Sequence, residues 1–404
     1  MRILHVVTGF PRFRDDFIAP WLVELLRHLR SRGHEAEVFS PAYKGGGNRE
    51  LDGIPIHRFR YFPAPWEDLT HDEAVVYRLK RSFRYRLAVP FYLAGGSLAM
   101  WKLCRRQRYD VVHVHWPMPH ALFGWVGRAA CGARVLTTFY GVELRWVKTK
   151  LPFLRGFLAR AIRSSDRVTA ISDYTAREVR ELADVPVTVI PYTTALPGPT
   201  SPVRSSGTDS LTVLFVGTLV ARKGVTILIE AVRLLRDVLP LNVVVVGDGP
   251  ERPGLEREVA RQGLSGLIEF TGRVPPDTLA RAYSEASMFV LPAVVDARGD
   301  TEGLGVVLLE AMSYGVPVVA SAAGGITDIV ENEQTGLLVP PGNAQALAGA
   351  IRRLAEDARL RAQLGTAGQA RFEAQFSWPA IVSRWDQVYR ELADPPTPPA
   401  RRSP

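Results

Sequence analysis

Glu302 and Glu310 stand eight residues apart in EGLGVVLLEAMSYGVPVVAS, residues 302–321, around Gly303, Leu304 and Gly305. The Gly-rich start followed by LLEAM predicts a turn opening a short helix, and VPVVAS predicts the next buried strand. A helix beginning near Gly303 would offer unpaired N–H groups and its positive dipole end to a phosphate or diphosphate. Glu302 would lie at that mouth and Glu310 roughly 12 Å along the axis at 1.5 Å per residue. A diphosphate there leaves one carboxylate for a hydroxyl-rich group and the other for a ribose. A nucleotide-sugar requires that layout.

Cations for the same ligand stand upstream. GTLVARKG, residues 217–224, follows a strand-like run, so Gly217 frees the turn and Arg222 and Lys223 face the strand ends. An Arg can fork two phosphate oxygens, while a Lys acts as a compact point charge. In GDGP, 247–250, Gly247 lets backbone approach a ligand closely beside Asp248. FTGRV, 270–274, brings Arg273 and Val274 to the end of another strand. In the first half, Gly9 follows the first strand within TGFPRFRDDF, 8–17.

The spacing Glu-x7-Glu, the Gly-x4-Arg-Lys-Gly run and their order resemble the retaining glycosyltransferases of family 4. FPRFRDDFIAPWLVELLRHLRSRGHEAEVFSP (10–41) and DVVHVHWPMPHALFG (110–124) resemble the bacterial polysaccharide-building members in particular. The resemblance implies an α/β GT-B fold, two Rossmann-like domains facing across a cleft. It implies that Glu302 meets the donor sugar and Glu310 the ribose, with the Gly303, Leu304 and Gly305 amides holding the diphosphate. Gly217, Gly247 and Asp248 would lie along the nucleotide, Arg273 and Val274 at the nucleobase edge, and Gly9 beside the diphosphate and acceptor. TTFYGVEL, 137–144, departs from the usual T-x-H-G-x-D: Tyr140 replaces the His that reaches the sugar, and Glu143 the Asp. PYTTAL, 191–196, departs too and reads as structural.

The surrounding elements fit this reading. Chain length of 404 exceeds the ~250–300 residues at which single cores stop growing, so two domains are expected. Short β-branched runs alternate with helical stretches, which argues parallel sheets. The expected strands are Ile3–Thr8, Ala36–Ser40, Val111–His115, Arg134–Thr138, Arg167–Ile171 and Val187–Ile190. A second series follows at 211–217, 242–247, 267–272, 288–292 and 316–321. The boundaries read as 1–190 for the acceptor-side domain, 191–210 for a Pro/Ser/Thr/Gly-rich linker, and 211–376 for the nucleotide-sugar domain. Residues 377–392 would form a helix crossing back to the first domain, and 393–404 a disordered tail.

Two cysteines, Cys104 and Cys131, cannot build a disulfide framework, which fits a reducing cytosol, and MRILHVV opens straight into a strand rather than a signal peptide. His113, His115 and His120 lack a Glu or Cys at ligand spacing, so no metal is expected; His115 is expected to line the cleft. No Asp-x-Asp motif stands in the chain, so two protein cations replace a metal in charge balance. Residues 1–190 hold 30 Lys/Arg against 18 Asp/Glu, and the rest 20 against 23. Basic clusters in 78–108 flank an uncharged stretch, Leu87–Trp101, which is too short for a typical span of ~20 residues. An interfacial segment on an anionic membrane and an ordinary helix with solvated basic ends both fit. Nucleic acid is not expected, because no recognised motif accompanies the charge.

The expectation is a retaining hexosyltransferase that needs no cofactor beyond a nucleoside-diphosphate sugar donor, UDP-sugar favoured over GDP-sugar. Its acceptor would be a sugar or lipid-linked glycan in cell-surface polysaccharide or glycolipid assembly. It would be cytoplasmic, peripheral on the inner face of the membrane. The alternatives are a sugar-nucleotide epimerase, a glycosyl phosphorylase, or a non-catalytic sugar-nucleotide-binding subunit.

Overall fold

The computed structural model describes residues 1–13, 16, 18–47, 49–71, 75–198, 211–297 and 299–393. The chain forms two compact units. One comprises Met1–Ile171, Thr175–Ile190 and the chain from Ile381 onward; the other comprises Ser172–Tyr174 and Pro191–Ala380.

The first unit carries strands β1 (Arg2–Val6), β2 (Glu35–Pro41), β3 (Glu50–Leu51), β4 (Ile54–Phe59), β5 (Val111–His115), β6 (Arg134–Phe139), β7 (Arg167–Ala170) and β8 (Val187–Val189). They lie in the order β3-β4-β2-β1-β5-β6-β7-β8, parallel except for the β3–β4 pair. β1 and β5 are buried almost throughout, as strands covered by helices on both faces must be. Their register sets His5 opposite His113. The β3–β4 hairpin, not foreseen from sequence, turns at Asp52-Gly53, both with positive φ, the pattern of a type I′ turn. The uncharged stretch Leu87–Trp101 lies inside one long helix, Phe83–Arg106, whose inner face includes Tyr85, Ala88, Tyr92, Gly96, Met100 and Cys104. From Ile381 the helix Trp378–Ala393 groups with this unit: Asp386 meets His34 at 2.9 Å, and the Tyr389 hydroxyl meets His113 at 2.8 Å.

The second unit carries β9 (Leu211–Val216), β10 (Leu241–Val246), β11 (Ile268–Gly272), β12 (Met288–Leu291), β13 (Val318–Ser321) and β14 (Leu337–Val339). Their order is β11-β10-β9-β12-β13-β14, all parallel. Counted within the unit this is 3-2-1-4-5-6, the doubly wound Rossmann order, whose switch point lies between β9 and β12. The loops after these two strands carry Arg222–Lys223 and Glu302. Five strands of this sheet match the sequence reading within two residues at either end; β14, three residues long, was not foreseen.

Of the expected linker, the first residues, from Pro191, group with the second unit, and Thr194 bonds there to Glu310. Residues 199–210 and the tail from 394 lie outside the described residues, as do Arg14, Asp15 and Phe17 of the segment after β1.

Candidate active site

In the second unit, β9 ends at Gly217, and the chain then makes a short 3-10 turn, Ala221–Lys223, before the helix Val225–Leu235. Gly224, at φ +67°, lets the turn close: a Cβ there would lie 1.9 Å from the carbonyl oxygen of Pro292. The N–H of Val294 bonds to the Arg222 carbonyl at 2.9 Å, so the β9 and β12 loops are stitched together at the switch point.

That stitching brings Glu302 between the two cations. Lys223 Nζ lies 2.6 Å and Arg222 Nη1 2.9 Å from the same oxygen, Oε2 of Glu302. Lys223 and Glu302 are both buried. Burial by itself would raise the Glu302 carboxyl, but Lys223 and Arg222 outweigh it and hold it below the usual carboxylate range. The group is therefore ionised, an acceptor for hydroxyl donors and not a proton source.

The helix expected from Gly303 begins three residues later, as Val306–Ser313, because Gly305 at φ +92° is its cap. Residues 302–305 form a loop, so the axial estimate of the Glu302–Glu310 separation does not apply. Gly303, Leu304 and Gly305 lead into the first helical turn, and Leu304 is buried. Glu310 sits on that helix, half-buried. Its carboxylate accepts the Tyr283 hydroxyl at 2.7 Å and the Thr194 hydroxyl at 3.1 Å. Burial raises its pKa, against which those two hydrogen bonds work.

Two groups here escaped the sequence reading. PYTTAL, read as merely structural, supplies Thr194 to Glu310, and its Tyr192 phenol is pushed up by burial and by the charge of Glu302. Gly324 and Gly325 brace the Glu302 loop from behind. A Cβ on Gly324 would lie 2.0 Å from the Glu302 carbonyl oxygen, whose hydrogen bond comes from the Gly325 N–H at 2.9 Å. The signal was present as AAGG after the β13 strand.

Gly247 and Asp248 close the turn after β10. The Gly217 oxygen leaves no room for a Cβ on Gly247, and the Asp248 carbonyl takes the Leu219 N–H at 3.0 Å. Arg273, exposed, and Val274, half-exposed, follow β11 at the sheet edge. The loops after β9, β10, β11 and β12 all leave the carboxyl ends of parallel strands, where such sheets bind ligands.

The first unit holds Tyr140 after β6. Its hydroxyl lies 2.7 Å from Nδ1 of His115, its ring stacks on Trp116 at 4.2 Å, and its N–H bonds Glu143 Oε1 at 2.8 Å. His115 is fully buried beneath these contacts. His5, His113 and His115 gather with their ligand atoms within 4.8 Å. Both ring nitrogens of His113 and of His115 already have hydrogen-bond partners: Tyr389 and Thr138 for one, His5 and Tyr140 for the other. A cation would have to break those bonds. His120 stands apart, bonded to the Tyr92 hydroxyl. Burial keeps all four imidazoles neutral, with His5 pushed down to about 3 and His120 to about 4. Gly9 is buried after β1, but a Cβ there would meet Ile18 only at 3.6 Å, so nothing within the unit demands glycine.

Residues 201–371 match the sequence profile of the glycosyl transferases group 1, and residues 19–192 that of glycosyltransferase family 4. An uncharacterized glycosyltransferase of Methanocaldococcus jannaschii is 30% identical, across 86% of this chain and 92% of that one. The chain belongs to the family 4 glycosyltransferases. This glycosyltransferase is also 29% identical, over 97% of both chains, to the GDP-mannose-dependent alpha-(1-6)-phosphatidylinositol monomannoside mannosyltransferase of Mycobacterium tuberculosis. Among solved structures, the sucrose-phosphate synthase of Thermosynechococcus elongatus shares its fold at TM-score 0.76 and 24% identity, over 97% of this chain and 98% of that one. Anabaena HepE, crystallised with UDP and glucose, does so at 0.71 and 19%, over 97% of this chain and 100% of the other. The glycosyltransferase thus has the two Rossmann-like domains of the GT-B fold, and its retaining chemistry is that typical of the family.

Proposed function

We propose that this glycosyltransferase moves a hexose, with retention, from a nucleoside diphosphate to a hydroxyl of a lipid-linked glycan or glycolipid on the cytoplasmic side of the membrane. The observation that carries this reading is the Arg222–Glu302–Lys223 cluster at the sheet's switch point, with Lys223 and Glu302 buried and Glu310 eight residues on. Arg222, Lys223 and the amides from Gly303 to the first helical turn hold the diphosphate and stabilise charge on it as it leaves. Glu302, ionised, accepts hydrogen bonds from the sugar hydroxyls and helps set sugar discrimination. Glu310, oriented by Tyr283 and Thr194, binds the ribose. Gly217, Gly247 and Asp248 line the nucleotide, and Arg273 and Val274 meet the base edge. Gly9 approaches the diphosphate side. Tyr140 takes the sugar-contacting role in place of a histidine; a phenol donates or accepts a hydrogen bond without titrating near neutrality. The leaving phosphate helps accept the acceptor proton on the same face.

For the donor base, the sequence reading favours UDP. The M. tuberculosis relative is named for GDP-mannose, and its greater identity favours GDP over the UDP of HepE. A phosphatidylinositol monomannoside acceptor in the same relative's name supports a lipid-linked acceptor here. The two free cysteines agree with a reducing compartment.

Thermal-shift titration with UDP-, GDP- and ADP-sugars identifies the donor, since a ligand bound to the folded state raises stability by mass action. With that donor and lipid-linked acceptors, nucleoside diphosphate release should match acceptor glycosylation and require the acceptor. Turnover without acceptor would indicate an epimerase, a need for free phosphate a phosphorylase, and binding without turnover a non-catalytic subunit. Each outcome contradicts the proposal.

A further inference from the structure

The helix Phe83–Arg106 has two faces of opposite use. Its inner face packs into the first unit so closely that a Cβ on Gly96 would lie 2.4 Å from the Phe123 ring, and one on Gly95 2.7 Å from the Arg60 carbonyl oxygen. Its outer face carries Leu87, Phe91, Ala94, Leu98 and Trp101, spaced 4, 3, 4 and 3 residues apart, so they form one stripe along the helix. Phe91 is 50% and Leu98 55% exposed, and Phe83, at the start of the helix, 73%. Phe62 touches Phe91 with ring centroids 5.5 Å apart and reaches Trp66 at 5.8 Å, which widens the stripe with a second exposed aromatic. Single exposed apolar residues are ordinary on soluble proteins; a contiguous patch is not.

Charge frames the stripe. From Ala74 to Tyr109 the sequence has no Asp or Glu and nine Lys/Arg. Arg84, at one end, is held by Asp68 at 3.1 Å. At the other end Lys102, Arg105 and Arg106 are exposed, and among the described residues none has a carboxylate within ion-pair distance. Lys102 and Arg106 also line a cavity of about 630 Å³ with Arg49.

We propose that this face docks on an anionic lipid bilayer, with the helix lying in the interface. The stripe enters the acyl boundary, and the cations at its ends meet headgroup phosphates. The helix is long and apolar enough to cross a membrane, but its inner face is part of the domain core, so lipid cannot surround it. A second copy of the chain fits poorly, since it would bring the same cations against one another. Docking there places the enzyme where a lipid-borne acceptor resides, yet the inference stands on the helix and not on the choice of acceptor.

The full-length protein is co-sedimented with phosphatidylcholine vesicles, with and without 30 mol% phosphatidylglycerol. Binding is expected only with the anionic lipid and should fall at least ten-fold in 0.5 M salt. Each of Lys102→Glu, Arg105→Glu and Arg106→Glu should weaken it roughly five-fold or more, and Leu98→Ser with Phe91→Ser should remove the salt-resistant part. Lys102, Arg105 and Arg106 are exposed, so in the charge-reversed variants melting temperature and donor binding should not move; that separates failure here from failure of the transferase reading. No binding at low salt, equal binding by the charge-reversed variants, or salt-independent self-association through Phe91 and Leu98 would each overturn the proposal.

Discussion

Lys223 Nζ lies 2.6 Å from Oε2 of Glu302, and Arg222 Nη1 shares that same oxygen at 2.9 Å. The carboxylate therefore holds the two cations assigned to the diphosphate. A phosphate arriving at the site competes with Glu302 for them. Glu302→Gln weakens that competition while keeping the side chain's shape. The variant should bind free nucleoside diphosphate at least as tightly as the parent, while transfer falls at least ten-fold. Calorimetric titration and initial rates check this together; weakened diphosphate binding with normal transfer would exclude the assigned role.

Glu310 is held from two sides, by Tyr283 at 2.7 Å and Thr194 at 3.1 Å. Tyr283→Phe deletes one hydrogen bond to a charged acceptor, a contact worth about 1.5–3 kcal/mol. Nucleoside affinity should fall about ten-fold or more, with the rate at saturating donor nearly unchanged. A loss seen only with the diphosphate and not with the nucleoside would move Glu310 away from the ribose.

The glutamate pair and the Arg-Lys turn were legible in sequence because glycines and strand ends fix such loops locally. The strand series was legible because buried parallel strands read as unbroken β-branched runs. What was hidden depends on contacts between distant segments. Thr194 reaches Glu310 across 116 residues, and His5 meets His115 across 110. No local pattern announces either pairing. The start of the 306–313 helix was misplaced because Gly303 and Gly305 are equally permissive, and only the tertiary position of Gly305 decides which caps it. The β3–β4 hairpin was legible in principle from Asp52-Gly53 but too short to stand out.

Gly324 braces the Glu302 loop at φ +56°, with no room for a Cβ beside the Glu302 carbonyl. Gly324→Ala combines a strained backbone, about 1–2 kcal/mol for an L-residue there, with that collision. Transfer should drop at least a hundred-fold and the melting temperature by several degrees. Gly266→Ala, which meets nothing within 4 Å, should change neither. Full activity in Gly324→Ala would mean that the loop position does not govern the site.

Glu143 is buried under Tyr140, and burial, opposed by its backbone hydrogen bonds, pushes its carboxyl up to about 7. The unfolded chain releases that proton near 4.5, so between pH 4.5 and 7 the folded state binds more protons than the unfolded one. Stability should therefore fall as pH rises through that window, by about 3 kcal/mol in all at 1.36 kcal/mol per pKa unit. Glu143→Gln should flatten the dependence and be the more stable form at pH 8. Denaturation at pH 5 and pH 8 tests it: a parent-minus-variant difference that does not change with pH would show that Glu143 ionises normally.

Arg222 and Lys223, as the proposed diphosphate ligands, carry the leaving-group chemistry. Affinities of Arg222→Ala and the parent are measured for the nucleoside diphosphate and for the corresponding nucleoside, at one ionic strength. A charge-assisted contact of about 1.5–3 kcal/mol predicts a ten- to hundred-fold loss for the diphosphate and almost none for the nucleoside. Equal diphosphate affinity in the two proteins, or equal losses for both ligands, would contradict it.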